Sequence, residues 1–167
     1  MRELSDGWIV GFCDGEAAFQ VLVDKREKGF YVENRFTIGL EGKEKELLEK
    51  IRAYFGVGEL VYRNMEHVRQ QGICSKDQWH YVVRGPEECS VIDQFFRNNS
   101  LESSKQGNFQ IWSKILNMVK CGRHRQIAGI LEIVKLRDQM HVKTRGHKYR
   151  NYQWFLRYYH LEKEKLC

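Results

Sequence analysis

GWIVGFCDGEAAF, residues 7–19, decides how the rest of this chain is read. The stretch begins as an apolar helix, runs into Asp14 and Glu16 beside Gly11 and Gly15, and passes directly into an alternating strand. Ser5 stands where an N-cap is needed, Asp6 complements the positive helix end, and Leu4 and Ile9 form a hydrophobic staple. The helix is therefore predicted to end near Gly15. Beyond it Phe19, Val21 and Val23 face one way, and Gln20, Leu22 and Asp24 the other. A charged turn from Lys25 to Gly29 leads to a second strand from about Tyr31, with Phe36, Ile38 and Leu40 on its apolar side.

Working outward, GKEKELLEKIRAYFG reads as a helix with Leu47, Leu48, Ile51, Tyr54 and Phe55 at helical spacing and Gly56 as its stop. VGELVYR and WHYVVR read as a third and a fourth strand, joined by a polar loop around Gly72. Pro86 opens a helix through Phe96. SLESSKQGNFQIWSKILNMVK supplies another, with Phe109, Ile111, Trp112, Ile115, Leu116 and Val119 as its buried set, and Gly122 breaks it. A further helix carries Ile127, Ile130, Leu131, Val134 and Leu136 to about Met140. The order α-β-β-α-β-β-α-α-α predicts an α+β fold around one antiparallel sheet.

The 167 residues suit one domain over 1–167, with a basic, aromatic C-terminal tail from about 143 that ends in a short helix. No run is long and apolar enough to span a bilayer, so no membrane partner is expected. Glu3 and Asp6 fall where a secretory signal would be basic or apolar. The five cysteines are scattered without a CxxC pair, which argues against a zinc site or disulfide framework and for a reducing compartment. A net charge of +6 fits a polyanionic partner. The histidines form no cluster at metal-ligand spacing, and no Ser-His-Asp or Cys-His arrangement can be drawn.

The acids of the opening stretch carry the chemistry. A helix C-terminus already holds roughly half a negative charge, so carboxylates there are unfavourable unless something offsets them. Asp14 and Glu16, two residues apart, cannot share a helix face, and Glu16 is the one placed to point out of the helix end. A divalent cation would remove its cost. Gly11 and Gly15 share a face and permit close backbone approach, either of this helix to its own sheet or of a second copy of the helix. In the second case two Glu16 side chains converge by symmetry, and metal held between them is suited to phosphodiester hydrolysis.

WIVGFCDGEAAF resembles the signature of the LAGLIDADG homing endonucleases, with Ile9 to Ala17 on its nine positions and alanine where the motif ends in glycine. FTIGLEGKEKELLEKIRAYFGVGEL and SLESSKQGNFQIW are similar to later segments of that family, so the resemblance covers roughly residues 4–140. It implies the αββαββα fold, with a four-stranded antiparallel saddle of sheet over DNA and helices on the other face. It implies that Glu16, with the Gly15 carbonyl, binds a catalytic Mg2+, that Mn2+ substitutes, and that Ca2+ binds without efficient cleavage. Lys105, on its own a solvated lysine at a helix start, matches the family's active-site lysine. The basic or amide residue that some members carry after the second strand has no counterpart in Leu40-Glu41-Gly42. A single motif implies a homodimer joined through Trp8, Gly11, Phe12 and Gly15.

The expected activity is site-specific double-strand cleavage of a long pseudo-palindromic DNA target by an intron-encoded enzyme, made in an organelle or a prokaryotic cytoplasm. The sheet face left free by the helices would read base edges through Gln20, Leu22, Asp24, Arg26, Arg35, Thr37, Arg63, His80 and Arg84. Tyr62 and the loop residues Arg69, Gln70 and Gln71 are further candidates. Lys143, Arg145 and Lys148 of the tail would contact phosphates. The rival readings are an intron RNA-binding maturase and a catalytically inactive DNA-binding protein of the same fold.

Overall fold

The computed structural model describes residues 4–26, 29–140 and 151–164. Helix α1 (Asp6–Glu16) starts as the capping pattern requires, the Trp8 N–H donating to Ser5 Oγ at 3.3 Å. It hands over without a loop to β1 (Ala17–Arg26), because Ala17 turns extended while its N–H still reaches the Cys13 carbonyl. β2 (Gly29–Glu41) returns antiparallel, Ala17 opposite Ile38 and Arg26 opposite Gly29. After a 3-10 turn at Gly42–Glu44 comes α2 (Lys45–Phe55), closed by Gly56 at φ +70° as its position predicts.

β3 (Glu59–Arg63), α3 (Glu66–Arg69) and β4 (Gln78–Arg84) follow, then α4 (Pro86–Asn98), α5 (Lys105–Lys120), α6 (Ile127–Met140) and α7 (Tyr152–Glu164). The strands lie in the order β1-β2-β4-β3, so the third strand of the sequence becomes an edge. The α3 turn stands in what the sequence suggests is plain loop. Asp77 organises it, Oδ1 accepting from the Met65 N–H at 2.9 Å and from Arg69 at 2.7 Å.

Strand alternation gives the sheet a covered and an open face. Phe19, Val21 and Val23 of β1, Val32, Phe36 and Ile38 of β2, and Tyr81 and Val83 of β4 are buried under the helices. Phe19 is central, its ring 5.3–5.5 Å from those of Phe36, Phe96, Phe109 and Trp112. Aromatic pairs of this kind contribute ~0.5–1.5 kcal/mol each beyond the area they bury. Two polar bonds orient α5 on the sheet. Trp112 Nε1 donates to the Gln20 carbonyl at 3.1 Å, and the buried Asn34 amide donates to the Trp112 carbonyl at 2.9 Å.

One expected core residue is not in the core: Ile127, at the first turn of α6, is 54% exposed. Gly129 is fixed by close approach, since a Cβ there would lie 1.9 Å from the Arg123 carbonyl oxygen. Among the described residues no helix is long and apolar enough to cross a membrane.

Candidate functional site

The ends of α1 and α5 cap each other. Asp14 Oδ2 accepts from the backbone N–H groups of Glu102 at 3.2 Å and Ser103 at 3.0 Å, and Oδ1 accepts from the Ser103 hydroxyl at 2.5 Å. Asp14 thus serves the positive start of α5 as a remote cap. In return Lys105, the first residue of α5, donates from Nζ to the carbonyls of Cys13 at 3.0 Å and Gly15 at 3.1 Å. That ammonium sits on the negative end of α1, where a carboxylate alone would be unfavourable. Lys105 is therefore more than a solvated lysine at a helix start.

The titration shifts follow from this arrangement. The Ser103 hydroxyl foremost, then the backbone N–H groups and the Lys105 charge, hold the Asp14 carboxyl below its ordinary value. Burial pushes Lys105 down, against the opposing pull of Asp14, Cys13 and Glu16. Burial pushes the Cys13 thiol up to about 12, which keeps it neutral and inert. Because the folded Asp14 pKa lies below the unfolded one, its contribution is complete above the unfolded value of ~3.9 and is lost as pH falls through the folded value. Asp14→Asn is expected to cost about 1 kcal/mol at neutral pH, the scale of a lost cap. The gap to wild type should close as urea titrations are taken below pH ~4. A gap that stays constant down to the acid limit would contradict the role of the charge.

Glu16 differs from Asp14 in every respect. It is exposed and makes no hydrogen bond or ion pair among the described residues. The same end of α1 therefore offers one carboxylate committed to structure and one open to solvent.

The glycine face is open too. A Cβ at Gly7, Gly11 or Gly15 would meet nothing within 4 Å. These glycines therefore do not serve to fit α1 against its own sheet. Gly7 continues the four-residue spacing one turn earlier and belongs to the same stripe. Beside it Trp8, 39% exposed, stacks on Phe12 with centroids 4.8 Å apart.

On the open face of the sheet the register aligns the candidate readers in rows: Gln20 with Arg35 and Arg84, and Ala18 with Thr37, Val82 and Glu59. Gly39 pairs with His80, and Gln78 with Arg63. Leu22, Asp24 and Arg26 continue the same face along β1. Tyr62 has the opposite parity: its ring meets Trp79 at the covered side, and its hydroxyl donates to Asp77 at 2.6 Å. It is removed from the reading set. Arg69 is tied to Asp77 and to the Ser75 carbonyl, while Gln70 and Gln71 stay exposed. Lys143, Arg145 and Lys148 lie outside the described residues.

Two of the arginines on this face, Arg35 and Arg84, have acidic partners, and Arg26 has an aromatic one. Arg35 Nε donates to Glu33 at 2.8 Å, Arg84 pairs with Glu59, and Arg26 lies over the Tyr31 ring at 4.1 Å. Glu33 stands two residues from Arg35 in a strand, so its shared face is implicit in the alternation. The exposed Arg84–Glu59 pair contributes ~0–1 kcal/mol, so exchanging that acid for a phosphate or a base edge is inexpensive, whereas the Arg35–Glu33 pair is largely buried. His80 is pushed down by burial and then by Arg63, and its ring fits because Gly39 opposite has no side chain.

An antiparallel four-stranded sheet, helices on one face, and an acid-tipped glycine helix leading into the first strand define a class of α+β fold. The LAGLIDADG endonuclease model matches residues 9–116, and the chain belongs to that family. It is similar to an uncharacterized cox1 intron-2 37.2 kDa protein of Schizosaccharomyces pombe, 26% identical over 134 residues, which are 80% of this chain and 38% of that protein. The chain spans well under half the length of the curated relatives it matches. Among solved structures it resembles the homing endonuclease I-TnaI (25% identity, TM-score 0.77, 94% of this chain and 99% of that one). It also resembles the LAGLIDADG meganuclease I-CpaMI bound to uncleaved DNA (27% identity, TM-score 0.73, 86% and 46%).

Proposed function

We propose that this chain is a site-specific DNA endonuclease that acts as a homodimer, hydrolysing both strands of a long, near-palindromic target with a divalent metal. The observation that carries this reading is the end of α1, where the exposed Glu16 carboxylate stands one residue from a carbonyl already approached by Lys105. Family membership supports the reaction class, and the DNA-bound meganuclease supports duplex DNA as the substrate.

The donors fit the metal. A carboxylate and a backbone carbonyl are hard oxygen ligands suited to Mg2+, Mn2+ and Ca2+, and a carbonyl oxygen has a second lone pair beside the one Lys105 uses. Among the described residues no group of three or more His, Cys, Asp or Glu is placed to hold a metal. One chain therefore contributes Glu16 and Gly15, and a second Glu16 from a symmetry mate and DNA phosphates would complete the shell. When bound, the cation supplies Lewis-acid stabilisation of charge developing on the phosphoryl group. The protein's own part is positional. Asp14 and Lys105 lock α1 to α5, which fixes the helix end that carries Glu16, and the Lys105 ammonium presents positive charge beside it to orient a phosphate. The open glycine stripe supports pairing of two copies of α1, which would bring both Glu16 side chains together.

Duplex recognition by the open face is tested by filter binding of duplex DNA and of structured intron RNA across a salt series. Duplex affinity should fall at least about tenfold between ~50 and ~200 mM salt, as phosphate contacts release counterions. Salt-independent binding, or a clear preference for the RNA, would overturn the assignment, the latter in favour of a maturase.

A further inference from the structure

β2 outruns its inner neighbour. β4 pairs with it only over Arg35–Glu41, so residues 29–34 pair with β1 alone. A two-stranded ribbon is at best marginally stable in water by itself and twists readily. α5 backs the inner face at the root of the ribbon, where the buried Asn34 amide donates to the Trp112 carbonyl at 2.9 Å, and the far end beyond it needs a backing of its own.

Helix α7 meets that inner face. At the far end of the ribbon the cross-strand pair Lys25 and Phe30 points towards the covered side. The Phe30 ring lies 4.9 Å from Phe155 and 5.8 Å from both Tyr158 and Tyr159, and Lys25 Nζ sits 4.3 Å over the Tyr158 ring. Phe155 is fully buried. The start of α7 is pinned to α6, the Tyr152 N–H donating to Asp138 Oδ2 at 2.8 Å. Both helices lie beyond the residues that the family model matches.

The outer face of the same ribbon carries Asp24, Arg26 and Tyr31, with the Tyr31 hydroxyl donating to Glu33 at 2.8 Å. Asp24 and Arg26 follow Glu16 along β1 by a strand rise of roughly 26–33 Å. With a duplex laid along the strand, that reach corresponds to about eight to ten base steps at ~3.4 Å each.

We propose that α7 is a strut that sets the position of this ribbon, making Phe155, Tyr158 and Tyr159 positioning residues for the reading of base pairs about eight to ten steps from the cut. The proposal rests on the endonuclease reading and deepens it. Base-edge hydrogen bonds discriminate only when donor and acceptor are held in line. A ribbon that swings on its root loses that discrimination, while the four-stranded part and the end of α1 keep theirs. The specificity of the outer positions is then set from behind, by residues that touch no DNA.

The test compares the full chain with its Tyr158→Ala, Tyr158→Phe and Phe155→Ala variants on duplexes randomised one base pair at a time. Amide hydrogen exchange is measured on the same proteins. Tyr158→Ala should speed exchange in residues 22–26 and 29–34, leave 35–41 unchanged, and reduce discrimination at the outer base pairs by about tenfold, the scale of one lost base contact. Central preferences and the rate on the best target should stay near wild type, and Tyr158→Phe, which keeps the ring, should restore the outer discrimination. Tyr158 is only half-buried, so its variant decides the matter even where Phe155→Ala fails to fold. Unchanged exchange, unchanged outer discrimination, or an equal loss at every base pair would overturn the strut. A wild-type chain that binds no duplex overturns the endonuclease reading itself, and is told apart because a failed strut leaves wild-type binding and its central preferences intact.

Discussion

Glu16→Gln is expected to abolish cleavage of both strands while leaving the fold and duplex binding in place. The side chain is exposed and makes no hydrogen bond or ion pair among the described residues, so the amide removes no internal contact. In the proposed shared site it removes one ligand charge from each half. Metal stabilisation of developing phosphoryl charge contributes several kcal/mol, and each ~1.4 kcal/mol is tenfold in rate, so a loss of roughly a hundredfold or more is expected. Ca2+ in place of Mg2+ should act in the same direction, supporting binding with little cutting. Asp14→Asn provides the contrast, because Asp14 is spent on the start of α5 and its loss should lower stability more than chemistry. Wild-type cutting by Glu16→Gln would remove Glu16 from the metal site.

Gly11→Val should separate folding from assembly. Within one chain a Cβ at Gly11 meets nothing within 4 Å, and glycine is a poor helix former, so the isolated fold should be unharmed or slightly more stable. Between two α1 helices in contact, the added methyls force the backbones apart at a cost of ~1–3 kcal/mol. Sedimentation should therefore show the dimer weakened by roughly tenfold or more, with thermal stability maintained at the concentration where the wild type is monomeric. Cleavage should fall in parallel with dimer content. A Gly11→Val protein that remains fully dimeric would place the subunit contact elsewhere, and a wild type that sediments as a monomer even on DNA would refute the paired-helix site.

These two predictions draw on features that differ in how far local pattern revealed them. α1 and the β1–β2 alternation were readable because capping, periodicity and parity are local, and those same rules put Gln20, Arg35 and the other readers on one face. The position of β4 between β2 and β3 was not readable, since it depends on pairing across the chain. Nor was the service of Asp14 to Ser103, 89 residues away, which turns an apparent electrostatic fault into a clamp between two helix ends. Tyr62 falls on the covered side with Trp79, which the sequence does not reveal because a short edge strand gives too few positions to fix its parity. Glu33 shares the parity of Arg35, so that pairing is implicit in the alternation, whereas Glu59 reaches Arg84 only through the pairing of β3 with β4. The α7 strut was out of reach, because it depends on Phe30 meeting a helix that begins more than a hundred residues later.

The most direct test of the account is to incubate wild type and Glu16→Gln in parallel with a randomised duplex library and Mg2+, and to sequence the ends produced on both strands. The account predicts double-strand breaks within a long site of approximate twofold symmetry for the wild type, and none for Glu16→Gln. Absence of cutting by the wild type, or nicks on one strand at asymmetric sites, would contradict it.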